Sequence, residues 1–184
     1  MAHRCHWLIG YLLLSPLRRL RQDPRALLSP FVREGMTVLE PGPAMGYFTL
    51  ELARLVGPGG RVVAVDVQER MLAALRRRAA KRGLAGRIEA RLAGDGGMGV
   101  ADLAGRVDFA LLFAMVHEVA DQAAFFAELG AAVRPGGKVL VAEPKGHVGE
   151  AAFVASLELA ARHGLAAVER PAIAASRAAI LVKR

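Results

Sequence analysis

Apolar and polar positions along the chain fall into two rhythms, and each change of rhythm coincides with turn residues. Short apolar runs at Met36–Glu40, Arg61–Asp66, Arg87–Leu92, Val107–Phe113 and Lys138–Glu143 have the length and Val/Leu content of buried parallel strands. Between them the spacing becomes helical. Phe48, Leu52 and Leu55, with Glu51 and Arg54 opposite, predict an amphipathic helix that ends at Val56, before Gly57-Pro58-Gly59-Gly60. Met71, Leu72, Leu75 and Ala79 predict a second over 68–82, which leaves Arg76, Arg77, Lys81 and Arg82 outside and stops at Gly83 and Gly86. Asp121 caps a third, whose Phe125, Phe126, Leu129 and Val133 face inward until Arg134-Pro135-Gly136-Gly137 ends it. A fourth covers about 149–163. The last two runs, Leu165–Glu169 and Ile173–Lys183, flank Arg170-Pro171 and predict an antiparallel pair. Alternation this regular predicts an α/β fold: a doubly wound, seven-stranded, mostly parallel sheet with an antiparallel C-terminal edge hairpin.

Length and composition narrow the class. The 184 residues, 54% of them hydrophobic, suit one domain with a buried sheet and argue against disorder. The net charge of +8 suits an acidic partner such as RNA or a membrane surface, or simply a solvated arginine-rich face. The single Cys5 excludes an internal disulfide and a cysteine-rich metal site, and a reducing cytoplasm is the expected setting. The apolar run Trp7–Leu14 is too short to span a bilayer, and Ser15-Pro16-Leu17-Arg18-Arg19 lacks a signal-peptide cleavage pattern. It is expected to form a helical arm over 1–35 that packs on the domain (36–184) or covers its ligand mouth. Arg18, Arg19 and Arg21 also fit a peripheral membrane anchor. His3, Cys5 and His6 fall short of the four ligands of a structural zinc site, so no metal is expected.

The chemistry-bearing stretch is Thr37 to Phe48, a strand that stops at Glu40, a turn of small residues, and a helix start. Gly42 and Gly46, with Ala44 between them, remove side chains where the backbone turns and where a ligand can lie against it. A dinucleotide fingerprint measured from Gly42 needs its last glycine at position 47, where Tyr47 stands, so a nicotinamide dehydrogenase is disfavoured. The spacing acid-x-Gly-x-Ala-x-Gly instead resembles the first motif of the class I S-adenosylmethionine-dependent methyltransferases. Ala44 departs from the usual glycine by one methyl group. The resemblance spans about 36–183, takes in the Arg-Pro-Gly-Gly lead into the fifth strand and the final hairpin, and is nearest to small metal-independent enzymes of the ubiquinone/menaquinone and arsenite-methylating type.

That resemblance implies S-adenosylmethionine as cofactor, held by Glu40, Gly42, Ala44 and Gly46. Asp66, ending the second strand, would accept the ribose hydroxyls. Asp95 would meet the adenine amino group, and Phe113 and Ala114 would flank the ring. Glu40 and Asp66 could instead merely cap the helices that follow, and Asp95 could belong to an ordinary Gly-Asp-Gly turn. Catalytic residues are expected beyond the fourth and fifth strands, where His117, Glu118, Glu143, Lys145 and His147 stand. His117 is the leading general base and His147 the second, unless each simply bonds a loop carbonyl. Trp7, Tyr11 and Tyr47 are candidate walls of an acceptor pocket, with Tyr47 equally suited to packing.

Several acceptor chemistries are set aside by residues. Exocyclic base amines usually go with an Asn/Asp-Pro-Pro-aromatic run, and Phe113-Ala114-Met115-Val116 stands there. Cytosine carbon methylation needs a thiolate, metal-assisted catechol chemistry needs carboxylates after the fourth strand, and arsenite methylation needs several cysteines. The expected activity is methyl transfer to an N, O, S or C nucleophile of a small molecule. RNA methylation through the basic helix face, and a non-catalytic cofactor-binding regulator, are the alternatives.

Overall fold

A computed structural model describes residues 22–94 and 97–184, and each of these stretches forms a compact unit. The expectations for Trp7, Tyr11, Asp95 and the His3/Cys5/His6 group lie outside the described residues.

In the first unit, α1 (Pro24–Leu28) opens where Asp23 accepts the Arg25 N–H at 3.0 Å and Pro24 sets the first helical φ. Leu28 and, beyond the helix, Val32 are buried. Strand β1 (Thr37–Pro41), helix α2 (Thr49–Leu55), β2 (Arg61–Asp66), α3 (Glu69–Ala80) and β3 (Ile88–Leu92) follow. β2 lies parallel between β1 and β3, with Glu40 opposite Ala64 and Asp66 opposite Leu92. Val38, Leu39, Val62, Val63 and Ala64 are wholly enclosed, which is why these strands read as unbroken apolar runs. α3 buries Met71, Leu72, Ala74, Leu75 and Ala79 and leaves Arg76 and Arg77 exposed, as its periodicity predicts.

The second unit holds β4 (Val107–Phe113), α4 (Gln122–Ala132), β5 (Val133–Pro144), α5 (Glu150–Arg162), β6 (Leu165–Glu169) and β7 (Ser176–Lys183). β5 runs parallel to β4 on one side and antiparallel to β7 on the other, and β6 pairs antiparallel with β7. Asp121 caps α4 by accepting the Ala124 N–H at 2.9 Å. The strand order through the sheet is β3-β2-β1-β4-β5-β7-β6, the expected seven-stranded arrangement with an antiparallel edge.

Two boundaries differ from the pattern-based expectation. β5 begins at Val133, before the Arg-Pro-Gly-Gly stretch rather than after it. Val107 pairs with Val133 and Phe109 with Lys138, so residues 134–137 form an excursion inside the strand, permitted by Gly136 at φ 75°. β7 begins at Ser176 rather than Ile173, because Ala175 at φ 59° turns the chain and Ile173 makes only an isolated bridge to Ser176.

Gly130 of α4 packs against His163, at the end of α5. A Cβ there would stand 2.5 Å from the His163 carbonyl oxygen. Gly130→Ala gains about 1 kcal/mol of helix propensity but forces backbone apart at an overpacked contact. A net loss of about 1–2 kcal/mol is expected, read as a lower urea midpoint at unchanged m-value.

Candidate functional site

Two sets of candidate side chains stand at carboxyl ends of parallel strands, one in each unit. In the first, Glu40 and Asp66 end β1 and β2 and are 3% and 8% exposed. Asp66 Oδ1 accepts the Gln68 N–H at 2.9 Å, which fixes the carboxylate as the chain enters α3. Glu40 is different. Its Oε2 and the Thr49 hydroxyl oxygen are both buried without a hydrogen-bond partner among the described residues. Burial drives the Glu40 pKa up to about 8; the nearby Thr49 hydroxyl draws it down, although not in hydrogen-bond geometry, and the like charge of Asp66 raises it again. Neither acid is the N-cap of the following helix: Phe48 holds that position on α2 and Gln68 on α3.

The turn between Glu40 and α2 takes left-handed backbone at every second residue: Gly42 at φ 69°, Ala44 at φ 48° and Gly46 at φ 83°. Gly42 N–H donates to the Val65 carbonyl at 2.8 Å and Gly46 N–H to the Pro43 carbonyl at 2.9 Å. A Cβ on Gly46 would collide with the Leu75 side chain of α3. Ala44 keeps the conformation glycine favours, and its methyl packs on a small cluster of Met45, Met71 and Ala74.

Arg78 holds this turn from below, its Nη1 donating to the Met45 carbonyl oxygen. Burial lowers its pKa, and Arg82 lowers it further. The sequence pattern offers the signal for this residue, since Arg78 follows Met71 and Leu75 at i+7 and i+3 on the apolar stripe of α3. Tyr47 donates its hydroxyl to the Gln22 carbonyl at 2.8 Å and stacks edge-on against Phe48 at 5.0 Å, so it ties the 22–35 segment to the helix start.

In the second unit, Phe113 and Ala114 end β4, with Ala114 at φ 56° and its N–H donating to the Ala142 carbonyl at 2.7 Å. The chain then makes one tight helical turn, Val116–Glu118. Glu143, at the end of β5 and 2% exposed, reaches across to it. Oε1 accepts the Met115 and Val116 N–H groups at 3.0 Å each, and Oε2 accepts the His117 N–H at 3.4 Å and pairs with His117 Nδ1. The His147 ring lies edge-on to His117 at 5.8 Å, and Glu118 Oε1 is 4.0 Å from His117 Nε2. Lys145 is exposed, its N–H donating to the Ala175 carbonyl at 2.9 Å.

His117, Glu143 and His147 line a cavity of about 330 Å³, whose apolar wall is Val116, Val148, Ala152, Ala155 and Leu159. Gln122 and Ser156 close its polar side: Ser156 Oγ donates to Gln122 Oε1 at 2.8 Å, and Gln122 Nε2 donates to the Val116 carbonyl at 3.1 Å. The sequence reading missed these two. Ser156 was traceable as the lone polar residue on the buried face of α5, between Phe153 and Leu157. Among the described residues no three His, Cys, Asp or Glu side chains gather in a way that could hold a metal ion.

A family profile described as "Methyltransferase domain" matches residues 32–170, three quarters of the chain. The chain belongs to the class I S-adenosylmethionine-dependent methyltransferases. Among its relatives, a ubiquinone biosynthesis O-methyltransferase of Methylocella silvestris is 34% identical over 139 residues, 73% of this chain and 50% of that protein. A ubiquinone/menaquinone biosynthesis C-methyltransferase of Klebsiella pneumoniae is 30% identical over 112 residues, 61% of this chain and 44% of that protein. The chain thus spans about half the length of these relatives. A SAM-dependent methyltransferase of Aquifex aeolicus has the same fold, with a TM-score of 0.84 at 23% identity over 97% of this chain and all of that one.

Glu40 makes the stability of this chain pH-dependent. A carboxyl group whose folded pKa is raised stabilises the fold below its unfolded value of 4.5, and that contribution is lost as pH rises toward about 8. Equilibrium unfolding should show stability falling by roughly 1 kcal/mol per pH unit between about 6 and 7.5. Glu40→Gln should flatten that slope. Ala44→Gly, by relieving left-handed alanine, should raise stability by about 0.5–1 kcal/mol in denaturant titration, against the small loss of one methyl contact.

Proposed function

We propose that this chain binds S-adenosylmethionine in the Glu40–Gly46 turn and transfers its methyl group to a small-molecule acceptor. The carrying observation is the buried, hydrogen-bond-less Oε2 of Glu40 beside a turn whose small residues leave the backbone approachable. A carboxylate so placed is completed by a cationic donor, and the α-amino group of an adenosyl-amino-acid ligand is one. Asp66, held by the Gln68 N–H, is suited to accept from vicinal ribose hydroxyls. Gly42 and Gly46 admit the ligand against the backbone, and Arg78 keeps the turn from sagging away from it.

When bound, the cofactor supplies an activated methyl group on a sulfonium. The protein then has to orient the acceptor, keep water away and, for some acceptors, take up a proton. His117 and His147 at the 330 Å³ cavity are the groups fitted to the last task. The names of the Methylocella and Klebsiella relatives, both acting in quinone biosynthesis, support a small organic acceptor. The RNA reading draws on the exposed Arg77, Lys81 and Arg82 of α3 and the turn after it. It is second because the histidine cavity has the size of a small-molecule site. Among the described residues no helix is long and apolar enough to cross a membrane. Residues 1–35 are proposed as an arm preceding the 36–184 domain; in its described part Leu28 and Val32 are buried.

Calorimetry with S-adenosylhomocysteine tests the cofactor site. Asp66→Ala should weaken binding about thirty- to hundredfold, the loss of charge-assisted hydrogen bonds worth about 2–3 kcal/mol. Unchanged affinity in that variant would remove Asp66 from the site.

A further inference from the structure

Resting on the cofactor reading above, we infer that Glu40 captures its ligand by proton exchange: the free chain keeps a proton on the buried carboxyl, and the α-ammonium of the adenosyl-amino-acid ligand displaces it to solvent, with Thr49 setting the pH at which the exchange occurs. Three observations, all within the first unit, carry this.

The first is enclosure. Glu40 ends β1 beside the wholly enclosed Val38 and Leu39, and no donor among the described residues reaches its Oε2. A carboxylate there has lost its water and gained no partner, so the neutral acid is the form of lower free energy, and burial carries its pKa up to about 8. The second is the set of groups on the elements packed around it. On β2, Asp66 stands two residues beyond Ala64, the register partner of Glu40, and its like charge strengthens the hold on the proton. On α2 the Thr49 hydroxyl, itself buried and without a partner among the described residues, weakens that hold. Of the buried or half-buried charges on α2 and α3, Glu51 pairs with Arg54 at 2.8 Å and Arg78 donates to the Met45 carbonyl. The third is the contrast with Asp66, whose Oδ1 already takes the Gln68 N–H at 2.9 Å. A ribose hydroxyl donating to Asp66 brings no charge, so only the amino-acid end of the ligand changes the proton count.

In the exchange the Glu40 O–H bond breaks and its proton passes to water or buffer. An N–H of the incoming ammonium then donates to the carboxylate, and no covalent bond of the ligand changes. The ligand's own carboxylate keeps that ammonium charged through the range in question. The sign follows. Below about pH 8 the acid has to be discharged before the ion pair can form, so affinity rises with pH by about tenfold per unit between 6 and 7.5 and levels off above 8. The site thereby separates adenosyl ligands that carry a cation from those that do not, and does so more sharply as pH rises.

The test is calorimetry on the full chain with S-adenosylhomocysteine at pH 7, in phosphate and in Tris, whose different ionisation enthalpies count the protons released. About 0.9 proton per ligand is expected, the share of Glu40 still protonated one pH unit below its pKa. The deaminated analogue, with hydrogen in place of the α-amino group, should bind without release. Glu40→Gln should bind S-adenosylhomocysteine without release and with an affinity that is flat between pH 6 and 8. Thr49→Val should keep the release and move the levelling of affinity to higher pH. A readout independent of binding heat is stability: the ligand-induced rise of the urea midpoint should grow from pH 6 to 7.5 in the wild type and stay constant in Glu40→Gln. Binding with no proton released, release that persists in Glu40→Gln or with the deaminated analogue, or a levelling pH unchanged in Thr49→Val overturns the inference. Should Glu40→Gln not fold, the deaminated analogue and Thr49→Val decide alone. A wild-type chain that binds no S-adenosylhomocysteine anywhere between pH 6 and 8 overturns the cofactor reading instead.

Discussion

A carboxyl oxygen sealed from water without a hydrogen-bond partner is among the costlier things a small domain can contain, and the first unit is arranged around one. Glu40 sits at the end of a strand enclosed on both faces, so no water reaches Oε2, and Thr49, the polar side chain nearest at hand, does not bond it. The protein's own response is to hold the proton, which is what a pKa near 8 means. A ligand cation offers the other response. The same feature therefore costs stability in the free chain and, on the function proposed above, would supply affinity in the bound one, a trade common where binding sites are built into a rigid core.

Backbone conformation serves the same end. Gly42, Ala44 and Gly46 all take positive φ, so the turn presents main chain where side chains would otherwise stand. For Gly46 the reason is also steric, because α3 passes close enough for Leu75 to occupy the space of a Cβ. Ala44 shows that the conformation is demanded by the turn and not by the residue: tertiary packing and the flanking glycines hold an alanine where its own preference is the other way. Ala114, at the end of β4, repeats the pattern in the second unit. Strained alanines at the ends of two parallel strands are what a fold looks like when its strand tips are kept short of side chains.

Much of this was legible in the sequence, for identifiable reasons. Val38-Leu39 and Val62–Val65 are continuous apolar runs because both faces are covered, and the helix between 68 and 82 shows its buried stripe without interruption. The acids at 40 and 66 stand out because they end such runs. What stayed hidden depends on contacts between segments far apart in the chain. Glu143 and His117 are 26 residues apart, and nothing local says that one carboxylate will collect three N–H groups and an imidazole. Arg78 reads as one more surface arginine among five basic residues unless its i+7 spacing from Met71 is counted. The start of β5 at Val133 is not visible locally, because Arg-Pro-Gly-Gly is strong turn chemistry and only pairing with Val107 carries the strand through it.

The two buried glutamates make the closing point, since both end a parallel strand and both are nearly inaccessible, yet their surroundings differ in kind. Glu143 has its oxygens filled by the protein, so its part is to hold a neighbouring group in place. Glu40 has an oxygen that none of the described residues fills, and on the function proposed above its part is to receive a ligand's donor. Residue type and position on the strand are the same; the count of donors around each carboxylate separates a positioning residue from a binding one. A carboxylate draws backbone N–H groups around itself wherever the chain can supply them, and β1 is followed by a turn whose Gly42 and Gly46 N–H groups go to the carbonyls of Val65 and Pro43, so that no donor among the described residues reaches Glu40 Oε2.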